Sequence, residues 1–520
     1  MNLADIVSKW ANLAPDKNAL IDVPSQRRVS FGALQARIDK LAAALVGRGL
    51  NKGDRVAVLS KNSIEYFEIY FACARTGLIA QPLNWRLAAP EIARIIEDAE
   101  PSVFVIQQEF AEAAAAVRTE LHGDLAGLDY VYYGEGSDNS YEQMLSEHAA
   151  SAQSMPPAGG DDPVLILYTG GTTGLSKGAL HSHRSLYMGM INQTVAERIV
   201  PSDVYMLTGQ MFHIPVALAM NYMAHGCPVV LMNFVAEEAL QIIQDEKVSA
   251  FLGITTMLNW MMAVENFADY DLSSLRNIQY GGGPMPEAVV RAALASFPCT
   301  LIQGYGQTEG MTMTFLSQED HAAAMQGDNT HRLNSCGREG FVTRVRVVNE
   351  AGEDVPRDGL TPGEIVIQSE ANMLGYWRRP DLTEQTLRDG WMWTGDVATW
   401  DAQGYIFIVD RAKDMIISGG ENIYSTQVEA AIHQHPGVLE CAVIGVPDDE
   451  WGEAVKAVVV MKPGEMASEA EIIEVARQHL ASYQKPRSVD FAESLPKAPT
   501  GKILKRELRD PYWQTQERQV

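Results

Sequence analysis

The stretch LYTGGTTGLSKGAL runs from Leu167 to Leu180 and decides how the chain is read. An apolar run enters it and another leaves it. Between them stand Thr169, Gly170, Gly171, Thr172, Thr173, Gly174 and Lys177. Glycines let a backbone approach a ligand and turn its N–H groups inward, threonines add hydroxyl donors, and a lysine adds a cation. Together they form a cradle for a polyphosphate. The spacing GxxxxGK[ST] of the common phosphate loop is absent, because Ser176 precedes Lys177 and Gly178 follows it. The sequence thus predicts a phosphate loop of another kind, set between a strand and a helix.

Outward from this loop, strand and helix signals alternate. DRVAVLS (Asp54–Ser60) reads as a buried strand, NSIEYFEIYFACARTG follows with helical periodicity, and LIAQPLN returns to strand. The rhythm recurs at SVFVIQ, CPVVLM and SAFLGI, which predicts βαβ units and a parallel sheet. SAQSMPPAGGDDP (Ser151–Pro163) reads as a surface loop. The last part differs. Thr426 with Glu429, and Ser468 with Glu471, stand in capping-box spacing, so helices are expected to begin there. LECAVIGV and VKAVVVMKPG read as strands, and Ile472, Ala476 and Leu480 share one helix face.

With 520 residues the chain exceeds one ordinary core. The expected class is α/β: a large N-terminal domain of parallel-rich sheets layered with helices (1–409), and a small mobile α+β C-terminal domain (414–520). The charged stretch VDRAKD contains the boundary, with a hinge at 410–413. The net charge of −25 repels phosphate backbones, which excludes nucleic acid as a partner. Cys73, Cys227, Cys299, Cys336 and Cys441 are scattered and form no CxxC pair, so neither a zinc ribbon nor a disulfide framework is expected. The first residues have no basic start followed by an apolar run, and no segment is long and apolar enough for a membrane span. A cytoplasmic protein is expected.

The loop has company, in a fixed order: YGGGPMP (Tyr280–Pro286), QGYGQTE (Gln303–Glu309), WTGD (Trp393–Asp396), DRAKDMIISGGENIY (Asp410–Tyr424) and PKAPTGKILKRELR (Pro496–Arg509). This series resembles the motifs of the adenylate-forming enzymes, which include acyl-CoA synthetases, coumarate–CoA ligases, luciferase and peptide-synthetase adenylation domains. The resemblance implies an acid–thiol ligase that uses ATP, Mg²⁺ and coenzyme A to activate a small carboxylic acid. A carboxylate attacks the α-phosphate to give acyl-AMP and pyrophosphate; a thiol then displaces AMP.

By the same resemblance, Gly282, Gly283 and Pro284 form a wall against adenine, and Gln303, Gly304 and Tyr305 belong to the nucleotide site. Thr308 binds the α-phosphate, Glu309 holds Mg²⁺, Asp396 accepts from the ribose hydroxyls and Arg411 donates there. Lys502 stabilises charge on the α-phosphate during adenylation. Lys413 matches a hinge about which the small domain rotates between the half-reactions, and Gly419 and Gly420 match a channel for the pantetheine arm. Ile417 replaces a lysine of many coumarate ligases and luciferases, so that cation has no counterpart here.

For the acid, His213 in MFHIP matches a residue at the acyl-pocket entrance, and Val216, Gly281, Gly306 and Met311 are assigned to the pocket, with Met211 and Met220 as further apolar lining. Position 213 carries no aspartate for a substrate ammonium, which disfavours amino acids. Gly306 stands where acetyl-CoA synthetases have tryptophan, and its missing bulk points to a longer or aromatic acid. Pro215 stands where coumarate ligases often have tyrosine, which disfavours hydroxycinnamate. The expected substrate is a medium- or long-chain fatty acid or a hydrophobic aryl or alicyclic acid. Transfer of the acyl group to a carrier-protein thiol is the alternative. The oligomeric state stays open, with a homodimer among the options.

Overall fold

The computed structural model describes residues 1–147, 158–169, 176–283, 285–411, 413–419, 421–448, 450–497 and 503–514. The chain divides into two compact units. The first comprises Met1–Gly171, Leu175–Val345 and Ile367–Met392; the second comprises Thr172–Gly174, Arg346–Val366 and Trp393–Val520.

The first unit contains two large sheets. In one, Arg55–Leu59, Ile79–Leu83, Val103–Gln107 and Asp129–Tyr133 run parallel, and Ile79–Leu83 also pairs in parallel with β1 (Pro163–Thr169). The expected βαβ unit is present here: Ile64–Thr76 is the helix that joins the first two strands. Ser63 caps it by accepting from the Tyr66 N–H, and Gly77 ends it at φ +75°, a left-handed conformation that suits glycine. Its surface is buried on nearly every side, and its two buried carboxylates, Glu65 and Glu68, are paired with Arg27 and Arg37.

β1 does not lead into a helix. It pairs antiparallel with β2 (Lys177–Ser182), with Thr169 opposite Lys177, so the glycine–threonine loop connects two strands of a hairpin. The helix α1 (His183–Glu197) starts only after β2, where Ser182 and Ser185 form a capping box. The sequence reading of a strand-to-helix loop is corrected here. The apolar residues of KGALHS are satisfied by sheet pairing before the serine cap opens the helix. The two-residue strand Gly375–Tyr376 completes this edge by pairing antiparallel with β2.

The second sheet has nine strands, parallel through its centre and antiparallel at its edges. Next to it runs α2 (Pro215–Ala224), and its site-bearing strands are β3 (Asn277–Gly281), β4 (Thr300–Gln307) and β5 (Met311–Leu316). One continuous buried cluster includes residues from both sheets, from helix Ile64–Thr76, and from α1 and α2.

Beside that cluster Glu197, at the end of α1, is fully buried. It accepts hydrogen bonds from Gln193 and from the Tyr222 hydroxyl (2.6 Å), and burial pushes its carboxyl up to about 7. The Gln193 amide oxygen has no partner, and an amide flip would present it to a protonated Glu197. A folded-state pKa above the unfolded value means that the folded protein holds the proton more tightly. The resulting stability is complete below about pH 4.5 and is lost as pH rises through about 7. Glu197→Gln is therefore expected to lose ground to the wild type at pH 5 and to gain on it at pH 8. Urea unfolding at the two pH values checks this; a difference that does not change with pH would contradict it.

In the second unit, β6 (Trp391–Trp400) pairs antiparallel with β7 (Ile406–Arg411), placing Asp396 opposite Arg411. A separate α+β core follows. α3 (Ser425–Ile432) packs on β8 (Val438–Asp448), which forms a long hairpin with β9 (Gly452–Met461); α4 (Glu469–His479) packs on α3 and on the strand Ser488–Phe491, and α5 (Lys505–Trp513) lies beside β8. Ile416, Val428, Ile432, Val443, Val455 and Ile472 form its centre. The Ser468–Glu471 capping box is present. The Thr426–Glu429 box is not: α3 starts at Ser425 without a side-chain cap, and Thr426 donates to the Val409 carbonyl instead. Glu429 is taken by stronger partners, the Lys505 ammonium at 2.6 Å and the Val443 N–H at 2.8 Å.

Candidate functional site

Gly170, Gly171, Thr172, Thr173, Gly174, Pro284, Gly420 and Lys502 lie outside the described residues. The chain on either side of the phosphate loop is described, and it is closed by pairing. The Thr169 hydroxyl lies 3.5 Å from the Lys177 carbonyl, and the Lys177 ammonium lies 5.2 Å from the centroid of the Tyr376 ring. Tyr376 in turn donates its hydroxyl to Glu309 Oε1 at 2.7 Å.

Thr308 and Glu309 sit in the turn between β4 and β5. The Met373 N–H donates to the Glu309 carbonyl (2.7 Å), and His181 Nε2 lies 2.7 Å from the Thr308 carbonyl oxygen. The fold therefore brings together Lys177, Thr308 and Glu309, three residues that sequence reading placed in one site. Burial pushes the Tyr376 hydroxyl well above the ordinary phenol range, so it remains a donor to Glu309. Burial also pushes His181 down to about 4, so its ring is neutral.

Glu309 is a half-buried carboxylate with one oxygen fixed by Tyr376. Among the described residues no group of three His, Cys, Asp or Glu could hold a metal alone. That donor set fits Mg²⁺, which takes one or two carboxylates and completes its shell with phosphate oxygens and water.

Sequence reasoning missed Tyr376, His181 and the support behind β1. The Tyr168 hydroxyl donates to Asp98 Oδ2 (2.5 Å), and Trp377 Nε1 donates to the Asp98 carbonyl (3.1 Å). The signal was present in part. His181 is a polar residue on a largely buried strand, and a buried polar group calls for a partner.

The glycines of the site divide by cause. Gly282 has φ +77°, and side chains on Gly282 or Gly283 would meet open space. Gly281 and Gly304 face each other across β3 and β4, so closely that a β-carbon on Gly281 would collide with the Gly304 carbonyl. A β-carbon on Gly304 would lie 2.9 Å from the Thr312 methyl group. Beside them, the Gln303 amide oxygen is buried without a partner, and Tyr305 is buried. A β-carbon on Gly306 would collide with the Met311 carbonyl of β5, at a register shift between Tyr305 and Gly306. The hairpin thus gives Gly306 a packing reason of its own. Met311 takes φ +59°, rare for a side-chain-bearing residue.

His213 lies just before α2, with its ring 4.7 Å from that of Phe212, and burial pushes its imidazole down to about 4. The loop that carries it is held by Asn62, which donates to the Gly209 carbonyl (2.8 Å) and accepts from the Met211 N–H (2.9 Å). The Tyr70 hydroxyl donates to the Met211 carbonyl (2.7 Å). Met211, Val216, Met220 and Met311 all belong to the same buried cluster.

In the second unit, Asp396 is buried and ion-pairs with Arg411 at 3.1 Å. The Lys413 carbonyl accepts from Arg509 at 3.1 Å. Gly419 has φ +61°, and a β-carbon there would collide with the Trp451 ring. Lys497 and Ile503 form a β-bridge, so the chain closes on both sides of residues 498–502.

Among the described residues, then, a lysine on one strand of a hairpin stands with a carboxylate and a hydroxyl carried on one turn. Residues 7–377 match the AMP-binding enzyme family, and residues 427–502 match the AMP-binding enzyme C-terminal domain. The chain is 37% identical over 487 residues to a feruloyl-CoA synthase of Amycolatopsis sp, covering 92% of this chain and 93% of that one. It is 34% identical over 503 residues to the fatty acid–[acyl-carrier-protein] ligase ScoC of Streptomyces coeruleorubidus, covering 95% and 93%. Among solved structures it resembles a Mycobacterium tuberculosis fatty acyl CoA synthetase, with a TM-score of 0.79, 34% identity and 99% of each chain covered. The chain belongs to the AMP-binding enzyme family. It is an acid–thiol ligase of the AMP-forming type, with the α/β architecture expected from its sequence.

Proposed function

We propose that the protein is an ATP- and Mg²⁺-dependent carboxylate–CoA ligase that works through an acyl-AMP. The observation that carries this reading is the convergence of Lys177, Tyr376, Thr308 and Glu309 at the mouth of the β1–β2 hairpin. Carboxylate and triphosphate are both anions, so the first half-reaction needs charge neutralisation. Glu309 would hold Mg²⁺, which when bound neutralises phosphate charge; Tyr376 fixes the carboxylate for that purpose. Thr308 would donate to the α-phosphate, and Lys177 would neutralise the departing pyrophosphate. Gly282 and Gly283 would bound the adenine, and Asp396 with Arg411 would take the ribose. The acid's oxygen forms a bond to the α-phosphorus as pyrophosphate leaves. The thiol sulfur then bonds to the acyl carbon, and AMP leaves.

Residues 410–413, with Lys413, serve as the hinge between the half-reactions in this reading, and Gly419 and Gly420 admit the thiol arm. The acid is a medium- or long-chain fatty acid or a hydrophobic aryl or alicyclic acid. The apolar cluster around Val216, Met220 and Met311 supports that choice, as does a solved relative named for a fatty-acyl substrate; the relative named for feruloyl, itself a hydroxycinnamoyl group, weighs against the disfavour drawn from Pro215. ScoC, named for a carrier-protein acceptor, supports the second reading of the thiol. Pyrophosphate release over a panel of carboxylates, with CoA or with a carrier protein, tests both. Release with hydrophobic acids and thioester formation with CoA is the expected result. Thioester formation with the carrier protein alone would select the second reading, and no release with any acid would overturn both.

A further inference from the structure

His181 is fully buried on β2, four residues after Lys177. Its Nε2 lies 2.7 Å from the Thr308 carbonyl oxygen, and its Nδ1 lies 3.1 Å from Ser185 Oγ. A carbonyl oxygen carries no proton, so Nε2 must be the protonated nitrogen, and Nδ1 is left to accept. Ser185 is itself fixed at the start of α1, where it accepts from the Ser182 N–H at 3.0 Å. The ring is thus set by its neighbours in one tautomer and one orientation.

We propose that His181 is a positioning residue for adenylation: its Nε2–H bond to the Thr308 carbonyl locks the Thr308–Glu309 turn onto the strand that leaves the phosphate loop. The turn has two kinds of anchor. Tyr376 and the Met373 N–H hold Glu309 from the Gly375–Tyr376 side. His181 holds Thr308 from β2. Each is a single hydrogen bond; the one from His181 comes from a fully buried ring, and a carbonyl left unpaired beside it costs about 1–3 kcal/mol. Without His181 the turn can relieve that cost only by moving. Movement would misalign the Thr308 hydroxyl and the Glu309 carboxylate with the phosphates they are proposed to meet. The proposal rests on the ligase reading above.

Two amide substitutions separate positioning from packing. In His181→Gln the amide nitrogen reaches the place of Nε2 and can donate to Thr308. In His181→Asn it reaches only the place of Nδ1. The first readout is ATP affinity by calorimetry, with and without Mg²⁺. The second is adenylation, as ATP–pyrophosphate exchange with the best acid of the panel, set against thioester formation from the corresponding synthetic acyl-AMP. Partners that orient a metal-binding residue typically contribute 10–100-fold. H181N is expected to lose most of the Mg²⁺-dependent gain in ATP affinity and about 10–100-fold in adenylation, while thioester formation stays near wild type. H181Q is expected to stay within about threefold of wild type in every readout.

Equal behaviour of the two variants would overturn the proposal. So would equal loss of both half-reactions in H181N, which would mean a packing role. If H181N does not fold, H181Q decides: a retained Mg²⁺ response supports positioning and a lost one overturns it. A wild type that binds Mg²⁺–ATP but activates no acid would refute the ligase reading and leave His181 to be judged by calorimetry alone.

Discussion

Lys502→Ala is expected to abolish acyl-AMP formation and to spare thioester formation from supplied acyl-AMP. The described residues that flank 498–502 are fixed on the second unit. Lys497 and Ile503 form a β-bridge, and the Leu504 N–H donates to the Pro496 carbonyl at 2.8 Å. Downstream, Lys505 ion-pairs with the half-buried Glu429 and donates to Ser425, and Arg509 donates to the Lys413 carbonyl. None of these flanking contacts uses the Lys502 side chain, so its removal is expected to leave them in place. Loss of one electrostatic donor at a reacting phosphate typically costs about 10²–10³ in rate. Lys505→Ala is the matched control. Burial opposes the charge of Lys505, but Glu429 and Asp410 more than compensate and hold its pKa above the ordinary value. Its removal strands a largely enclosed carboxylate, so it should lower thermal stability and weaken both half-reactions together. The measurements are pyrophosphate exchange and single-turnover thioester formation. If Lys502→Ala weakens both half-reactions equally, the lysine is structural.

What the sequence made legible was whatever is written locally or in a fixed string. The βαβ rhythm at Asp54–Leu83 followed from periodicity, and it is present as a parallel pair joined by a helix. The motif series led to the family because five strings stand in order. Harder to read was any feature decided by partners far along the chain. Glu429 stood in capping-box spacing, yet a lysine 76 residues later took its carboxylate. His181 and Tyr376 meet the Thr308–Glu309 turn across separations of 127 and 67 residues. No local pattern announces such pairs. The strand-to-helix expectation failed for a related reason: β2 is a strand because β1 and Gly375–Tyr376 flank it.

Gly306→Trp is expected to lose adenylation with every acid, short or long. From sequence alone, the missing side chain reads as free volume for a long acyl group, and a tryptophan there would shift preference towards acetate. The β4–β5 hairpin imposes a condition that comes first. A β-carbon on Gly306 collides with the Met311 carbonyl oxygen, a backbone atom that no rotamer change can move. That backbone is already strained, since Met311 holds φ +59°. Relief requires shifting β5 or the turn, and the turn carries Thr308 and Glu309. Overpacking of this kind costs about 1–3 kcal/mol, and a shift of about 1 Å in a positioned catalytic group can cost about 10²-fold in rate. Gly306→Ala isolates the cause, because it adds the colliding carbon without the ring. It should already lower adenylation and the unfolding midpoint, by the same route and with no change in chain-length preference. The measurement is kcat/KM over a homologous series of acids for wild type, alanine and tryptophan. A tryptophan variant that keeps acetate and loses long acids would show that the side chain points into the acyl pocket, and the packing account of Gly306 would fail.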